Sequence, residues 1–332
     1  MVDKVNYSLL SHNTFGINAK CRRFMEYNSV EEAQEIAKQL KEPYLLIGAG
    51  SNLLLTKDFD GVVVHSVLKG IERQSDTDIR CGSGEVWDEV VAWCVANGLY
   101  GAENLSLIPG EVGASAVQNI GAYGAEVKDL IIRVEAVEIG TGHLCVFSRE
   151  ECQYGYRDSR FKHEWKNKYL ITHVVYRLST DEGQQSTEYG NIRAELERRG
   201  IRQPTAEQLR QVVIDIRNAK LPDPKVTGNA GSFFMNPVVE RAKYEELQAL
   251  YPNMPHYYID ADHEKIPAGW MIDQCGWKGR SLGSAGVHDK QALVLINRGG
   301  ATGLDIVALC QQIQQDVREK FGIDIHPEVN II

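Results

Sequence analysis

The sequence predicts an α+β protein with more than one domain, and three observations support this fold class. The 332-residue chain is 43% hydrophobic, enough apolar material for two or three packed cores. Segments with helical periodicity alternate irregularly with segments typical of strands. Two clusters of small residues interrupt the pattern, and they indicate places where the backbone approaches another segment or a ligand closely.

The net charge and the length of the apolar runs disfavour some classes of binding partner. The formal net charge of -9 disfavours nucleic acid or an anionic membrane as the main partner, because both require a cationic surface. No apolar run approaches the roughly 18 residues that a spanning helix needs, and the N-terminus has no signal-peptide core. We therefore expect a cytoplasmic protein without a membrane partner.

Cysteine and histidine patterns do not indicate a metal. The histidines lack ligand spacing such as H-E-x-x-H, and the odd number of cysteines contains no C-x-x-C pair. We predict reduced, mostly buried cysteines and no metal site. The cysteines are Cys21, Cys81, Cys94, Cys145, Cys152, Cys275 and Cys310.

The first elements are a helix and a strand. Ser29 and Glu32 form a capping-box pattern before apolar residues at helical spacing, which predicts a short amphipathic helix. The apolar run "YLLIG" predicts a strand that ends at Gly48. Beyond this turn, "NLLLTKDFDGVVVHS" predicts two strand-like runs separated at Asp60-Gly61.

The glycine turn in "IGAGSNLL" does not have the Rossmann pattern. Leu53 stands where the third glycine of that fingerprint belongs, and no helix is predicted after the turn. A Rossmann domain is therefore excluded. Taken alone, the turn is either a phosphate-binding loop or a tight turn at a strand end.

A second cluster of small residues covers residues 108–127, "IPGEVGASAVQNIGAYGAEV". It follows a predicted helix closed by Asn97-Gly98 and precedes the predicted strand "RVEAVEI". Small residues at this density allow backbone amides to converge on an anion, which suits an acidic protein. The alternative is close packing of a buried loop.

The remaining chain continues the α+β pattern, with a soft boundary in the polar stretch after "YLITHVVYRL". Thr205 and Gln208 predict a second capping-box helix, which Pro222 stops. The other predicted strands are "HLCVF", "YLITHVVYRL", "ALVLINR" and "DIHPEVNII"; the other predicted helices are those around "RAKYEELQAL", "AGWMIDQCGW" and residues 306–317.

Six motifs in order resemble one family, the UDP-N-acetylenolpyruvoylglucosamine reductases. They are "NTFGI", "IGAGSNLL", "IPGEVGASAVQNIGAYGAEV", "YGYRDSRFK", "KLPDPKVTGNAGSFFMNP" and "HPEV". The resemblance implies a vanillyl-alcohol-oxidase-like, two-part FAD-binding domain followed by a C-terminal α+β substrate domain. We place these parts at residues 1–68, 69–217 and 218–332.

The same resemblance implies an activity. In this family NADPH reduces FAD, a hydride then passes to the methylene carbon of UDP-N-acetylglucosamine enolpyruvate, and protonation of the neighbouring carbon gives UDP-N-acetylmuramate for peptidoglycan synthesis. FAD and NADPH are thus the expected cofactors, and the UDP-sugar is the expected small-molecule partner. We expect a monomer.

Three residues match the family's catalytic positions. Arg157 in "YGYRDS" matches the arginine that binds the substrate carboxylate, and a planar guanidinium suits a two-oxygen target. Glu328 in "HPEV" matches the glutamate that helps to stabilise the enolate, and Ser232 in "GNAGSFF" matches the proton donor. Ser232 is not an acyl-transfer nucleophile, because Phe234 replaces the second glycine of the G-x-S-x-G pattern.

Further residues match cofactor and substrate positions of the family. The positions expected to hold FAD lie in both clusters of small residues: Gly48, Ala49, Gly50, Ser51, Asn52, Leu53, Pro109, Gly110, Gly113, Ala114, Gln118, Asn119, Gly121, Ala122 and Tyr123. Those expected to contact the substrate are Tyr123, Tyr189, Lys220, Asn236 and Gln291. Tyr189 belongs to the form of the family with a substrate-capping loop.

Two other functions remain open at this point. The glycine segments alone would also suit a flavin-dependent alcohol oxidase of the vanillyl-alcohol type. A non-catalytic flavin or UDP-sugar binding protein would require loss of one of the three catalytic residues, yet all three are present. Asn330 and Met235 depart from the arginine and lysine common in the family, so neither position is assigned a function.

Overall fold

The structure is a computed structural model and describes residues 1–41, 43–184 and 186–332. The chain forms two compact units, and each is built from separate stretches of sequence. Unit 1 contains Met1–Tyr7, Lys20–Ala49 and Phe59–Ala219, whereas unit 2 contains Ser8–Ala19, Gly50–Asp58 and Lys220–Ile332.

Short strands and medium-length helices alternate along both units. Within the described ranges, the strands are β1 (Val2–Ser8), β2 (Lys20–Tyr27), β3 (Tyr44–Ile47), β4 (Leu53–Leu54), β5 (Phe59–Ser66), β6 (Ile71–Arg73), β7 (Asp78–Gly82), β8 (Gly121–Ala122), β9 (Ala125–Glu126), β10 (Ile131–Glu138), β11 (Leu144–Ser148), β12 (Tyr169–Arg177), β13 (Gly228–Ser232), β14 (Val238–Glu240), β15 (Tyr257–Tyr258), β16 (His263–Lys265), β17 (Ser281–Leu282), β18 (Ala285–Val287), β19 (Val294–Asn297) and β20 (Asn330–Ile331). The α-helices are α1 (Val30–Gln39), α2 (Trp87–Ala96), α3 (Val112–Gln118), α4 (Gly190–Arg198), α5 (Ala206–Lys220), α6 (Arg241–Leu250), α7 (Ala268–Gln274) and α8 (Gly303–Phe321).

The first sheet of unit 1 has the strand order β1-β2-β5-β3, with β5 parallel to both β2 and β3. Helix α1 supplies Ala33, Ile36 and Ala37 to the core beside this sheet. The helix starts where the sequence predicts, because the Ser29 hydroxyl accepts a hydrogen bond from the Glu32 N–H at 3.2 Å. This sheet ends at β3, where the first glycine turn begins.

The second sheet of unit 1 is antiparallel along the pairs β11-β10-β12-β7-β6. Helices α2 and α3 contribute to its core, where Trp87 and Tyr176 meet edge to face with ring centroids 5.5 Å apart. The buried Ser115 of α3 faces Tyr176 on β12, and their hydroxyls are 3.2 Å apart. The second cluster of small residues is therefore held against a rigid sheet.

Helices α4 and α5 form a smaller core in unit 1 around Ile192, Leu209 and Val213. The predicted capping box of α5 is confirmed: Thr205 N–H donates to Gln208 Oε1 at 3.0 Å, and Gln208 N–H donates to Thr205 Oγ1 at 3.2 Å.

Unit 2 is organised around a sheet with the order β13-β19-β18-β17 and the long helix α8. Thr302 and Asp305 form a capping box at the start of α8, and Gly322 ends the helix in the left-handed conformation. Strands β14, β16 and β15 form a second, smaller sheet. Strand β20 pairs in parallel with β4, so Asn330 lies opposite Leu53.

Most predicted elements are present, but one boundary was wrong. The expected break at Asp60-Gly61 lies inside β5, whereas the two runs are separated at residues 55–58. A Cβ at Gly61 would lie 2.2 Å from the carbonyl oxygen of Pro43, so this glycine permits a close backbone approach and does not form a turn. Within the described ranges, no helix combines the length and apolarity required to cross a bilayer.

Candidate active site

The first glycine turn follows β3 in unit 1. Gly48 and Ala49 are half-buried, and their backbone N–H groups have no acceptor within the described chain. A Cβ at Gly48 would lie 3.1 Å from the Cβ of Ala114 and 3.2 Å from Oε2 of Glu111. The turn thus leans on the first residues of α3 and presents two consecutive free donors, an arrangement that fits an anionic group.

The next four residues of this turn, Gly50, Ser51, Asn52 and Leu53, belong to unit 2. Gly50 is buried with a φ of 68°, and a Cβ there would lie 2.0 Å from the carbonyl oxygen of His12. Only glycine can adopt this positive φ and approach the His12 carbonyl oxygen so closely without displacing the backbone. The Asn52 side-chain amide donates to the carbonyl oxygen of Glu328 at 3.3 Å, so this segment contacts the predicted catalytic glutamate's own backbone.

The second cluster of small residues contains α3, which the sequence analysis did not predict. Pro109 and Gly110 precede the helix, while Gly113, Ala114 and Gln118 lie within it. Gly113 allows α3 to pack closely, because its N–H donates to the Ser83 carbonyl at 2.9 Å and a Cβ would lie 3.0 Å from the Ser83 Cβ. The helix was missed since its residues are small and carry no amphipathic pattern.

Asn119 ends α3 in the left-handed conformation and is fully buried. Its side-chain nitrogen donates to the Gly155 carbonyl at 2.6 Å, and its side-chain oxygen accepts from the Lys128 N–H at 3.1 Å. These bonds tie the end of α3 to the loop that carries Arg157. The side chain of Asn119 therefore stabilises the backbone of the predicted cofactor segment through buried hydrogen bonds.

Arg157 and Tyr123 lie near each other in unit 1, as neighbours of β8 (Gly121–Ala122). Both have a positive φ, 54° for Arg157 and 49° for Tyr123, which is unusual for bulky residues. Nη2 of Arg157 donates to the Gly121 carbonyl, and the Tyr123 ring meets Tyr189 edge to face at 5.6 Å. Three of the predicted site residues are thus brought together in this unit.

Arg217 completes this group, although the sequence analysis did not single it out. It lies on α5 and donates to the Leu107 carbonyl at 3.2 Å, and its positive charge favours the ionised form of the Tyr123 hydroxyl. Burial raises the pKa of the Tyr123 hydroxyl and lowers the pKa of the Arg217 guanidinium, and the positive charge of Arg157 opposes the charged form of Arg217 further.

Among the described residues, Arg217 forms no salt bridge with a carboxylate. A buried guanidinium that makes no salt bridge among the described residues and lies near the positive charge of Arg157 forms a site suited to an anion. The sequence feature that could have identified Arg217 is its position three residues before Lys220, inside the helix that leads into "KLPDP".

Ser232 and Glu328 are neighbours in unit 2. Ser232 is exposed at the end of β13, directly after Gly231, whose φ is 69°. The segment with Glu328 runs beside it, because the Glu328 N–H donates to the Phe233 carbonyl at 2.8 Å. The backbones of the predicted proton donor and the predicted glutamate are therefore fixed side by side.

Asn236 and Gln291 both lie at the start of α7 in unit 2. The Asn236 side-chain oxygen accepts from the Ala268 N–H at 2.9 Å, and Oε1 of Gln291 would lie 3.2 Å from a Cβ at Gly269. Neither amide nitrogen donates a hydrogen bond to another described residue. Lys220 is exposed at the last position of α5 and forms no ion pair within the described residues.

The structure thus divides the predicted residues into two groups. In unit 1 it gathers Arg157, Tyr123 and Tyr189 with Arg217, and Asn119 at the end of α3 bonds to the loop that carries Arg157. In unit 2 it gathers Ser232 with Glu328, and separately Asn236 with Gln291.

Family models match both parts of the chain. The model described as "FAD binding domain" matches residues 23–148, and "UDP-N-acetylenolpyruvoylglucosamine reductase, C-terminal domain" matches residues 223–332. A crystal structure of UDP-N-acetylenolpyruvylglucosamine reductase from Thermus caldophilus has a TM-score of 0.69 at 20% identity and covers 99% of this chain and 98% of its own. The predicted fold class, an FAD-binding part followed by a C-terminal α+β domain, is confirmed.

Curated relatives match over nearly the whole chain. A UDP-N-acetylenolpyruvoylglucosamine reductase of Bacteroides fragilis (strain YCH46) is 58% identical over 98% of this chain and 99% of its own length. The protein of the same name from Flavobacterium johnsoniae is 46% identical over 98% of both chains, and that of Porphyromonas gingivalis (strain W83) is 48% identical over 98% of both. The chain therefore belongs to the UDP-N-acetylenolpyruvoylglucosamine reductase family.

Proposed function

We propose that this protein catalyses the NADPH-dependent, FAD-mediated reduction of UDP-N-acetylglucosamine enolpyruvate to UDP-N-acetylmuramate, a precursor of peptidoglycan. The names and near-complete coverage of the relatives support the reaction. The observation that carries the site assignment is the backbone hydrogen bond from Glu328 to Phe233, which places the segment with Glu328 beside Ser232. Proton transfer and charge stabilisation must act at one carbon, so the two residues need to be close.

The residues around Gly48 fit FAD. The free N–H groups of Gly48 and Ala49 suit a pyrophosphate, and the packing of Gly48 on α3 leaves little room for a side chain at this point. We assign Gly50 to Leu53, Pro109, Gly110 and the other expected positions of both glycine segments to the same cofactor. When bound, FAD would supply the hydride-transfer chemistry between NADPH and the substrate, and the protein would supply positioning and charge control.

Positive charge in unit 1 serves the anionic substrate. We assign Arg157 to the carboxylate of the enolpyruvyl group, where a guanidinium offers two parallel donors. Arg217 adds a second positive charge near the Tyr123 hydroxyl. We assign Tyr123 and its ring partner Tyr189 to the substrate as well.

The residues of unit 2 complete the chemistry. Addition of hydride to the methylene carbon loads negative charge onto the neighbouring carbon and its carboxylate. The Ser232 hydroxyl donates a proton to that carbon, which changes the C=CH₂ group into CH–CH₃, and we assign Glu328 to stabilisation of the charge before protonation. We assign Lys220 to the diphosphate, and Asn236 and Gln291 to further polar groups of the UDP-sugar, for which their free amide nitrogens are suited.

The organisation of the protein is also part of the proposal. We propose FAD-binding parts at residues 1–68 and 69–217, a substrate domain at 218–332, and a monomer. Because its substrates are NADPH and a nucleotide-activated sugar, we propose that the enzyme acts in the cytoplasm.

The test is the visible spectrum of the purified protein under anaerobic conditions. We expect an oxidised flavin spectrum that bleaches with NADPH and returns after UDP-N-acetylglucosamine enolpyruvate is added. If the colour returns only with oxygen, the protein is an oxidase or another flavin reductase and the substrate assignment is wrong. If neither the purified protein nor added FAD gives a bound-flavin spectrum, the assignment of the glycine segments is wrong.

A further inference from the structure

A buried histidine lies between two carboxylates at the edge of the proposed FAD site. His65 on β5 is opposite Glu26 on β2, and its Nδ1 is 3.0 Å from Oε1 of that glutamate. Its Nε2 is 3.1 Å from each carboxylate oxygen of Glu111. The side chains of His65 and Glu111 are only 9% and 12% exposed, so this is a largely dry cluster.

The geometry sets the charge of His65. An ionised carboxylate can only accept hydrogen bonds, so a ring whose two nitrogens both face carboxylates must donate from both. Two ionised carboxylates facing the ring therefore favour the imidazolium form of His65. Burial alone would lower the pKa of His65, but the hydrogen bonds and charges of Glu111 and Glu26 outweigh burial and raise it.

The cluster also joins the two glycine segments. His65 pairs with Ile47 across β5 and β3, and Gly48 follows Ile47 directly. Glu111 immediately precedes α3, yet its carboxylate makes no capping hydrogen bond there and instead faces His65. Oε2 of Glu111 would lie 3.2 Å from a Cβ at Gly48, so the Glu111 carboxylate lies next to the backbone segment that we propose binds the pyrophosphate of FAD.

A bare carboxylate at this place would repel an anionic cofactor, because partly buried charges are poorly screened. We propose that His65 is a positioning residue for FAD: its imidazolium neutralises Glu111 and holds it against the Gly48 turn, so that the turn can accept a pyrophosphate. This inference rests on the FAD site of the proposed function and adds to it a residue that does not itself contact the cofactor.

The experiment is a titration of the apoprotein with FAD, followed by flavin fluorescence, for the wild type and matched variants. His65→Gln removes the positive charge and should weaken FAD binding roughly tenfold to a hundredfold, since one charge-assisted interaction is lost beside the phosphates. His65→Gln combined with Glu111→Gln removes both charges and should restore the affinity to within about threefold of the wild type.

Two controls separate this role from general support of the fold. His173→Gln replaces another buried histidine of unit 1, whose contacts are Arg80 and Glu135, and it should leave FAD affinity within about twofold of the wild type. Glu111→Gln alone should bind FAD as tightly as the wild type or more tightly. If His65→Gln fails to fold, the FAD affinity of Glu111→Gln still tests the proposal.

Several results would overturn the proposal. They are unchanged FAD affinity in His65→Gln, a double variant that binds FAD no better than His65→Gln, or a loss of about tenfold or more in Glu111→Gln alone. Failure of the proposed FAD site is a separate outcome, because in that case the wild-type apoprotein would not bind FAD at all. Failure of the substrate assignment alone would leave FAD binding by the wild type intact.

Discussion

Gly50 and Gly16 offer a matched pair of substitutions in unit 2. Their φ angles are 68° and 67°, so alanine at either position pays the same backbone strain, about 1–2 kcal/mol. Their surroundings differ, because a Cβ at Gly50 would lie 2.0 Å from the His12 carbonyl oxygen, whereas nothing lies within 4 Å of a Cβ at Gly16. The overlap at Gly50 adds roughly 1–3 kcal/mol.

We therefore expect Gly50→Ala to lower the free energy of unfolding by about 2–5 kcal/mol and Gly16→Ala by about 1–2 kcal/mol. Urea denaturation of both variants and the wild type, followed by circular dichroism, measures the difference. Gly50→Ala should also lower the flavin content of the purified protein, since the turn must move to relieve the overlap. Equal losses of stability in the two variants would refute the close approach of Gly50 to His12.

Three further predictions test the site and the electrostatics of unit 1. Ser232→Ala should leave flavin reduction by NADPH intact but slow reoxidation by the enolpyruvyl substrate roughly a hundredfold to ten-thousandfold in stopped-flow measurements, because only that step needs the proton; equal slowing of both steps would contradict the assignment. Arg217→Met should raise the KM for the UDP-sugar about tenfold or more, whereas Arg210→Met on the same helix, which loses an existing ion pair, should leave this KM nearly unchanged. Burial and the charge of Arg80 lower the pKa of His173 to about 4, so the unfolded chain binds a proton below its usual pKa of 6.5 while the folded protein does not. As the pH is lowered from 6.5 to 4, protonation of His173 in the unfolded chain should therefore lower the free energy of unfolding by up to about 3 kcal/mol. His173→Gln should remove that part of the pH dependence.

The sequence predicted those elements that carry their own start signals. The helices after Ser29 and after Thr205 were expected because a hydroxyl residue and a Glu or Gln three residues later satisfy the first free N–H groups of a helix. Helix α3 has no such signal and no apolar stripe, since its small residues are needed for close packing on Ser83. Local periodicity could not identify it.

Local sequence patterns likewise identified only part of the candidate site. Ser232, Arg157 and Glu328 were predicted because each lies in a distinctive motif, but Arg217 sits in an ordinary amphipathic helix and becomes notable only through its contact with Tyr123. The pairing of His65 with Glu111 joins residues 46 positions apart, and no spacing rule connects them. Charge clusters that form across strands and helices require the tertiary structure.

The pairing of β20 with β4 has a consequence for the order of folding. It joins residues 53–54 to residues 330–331, and the Thr56 hydroxyl donates to the Ile332 carbonyl across 276 positions of sequence. Closing so long a loop is entropically costly and slow. During synthesis, the segment that begins at Gly50 must wait for residue 331 before its strand can pair, whereas the sheets of unit 1 can already form once residue 177 has emerged. Unit 2 is therefore the last part of the protein to mature, and the segments that carry Ser232 and Glu328 come together only at that stage.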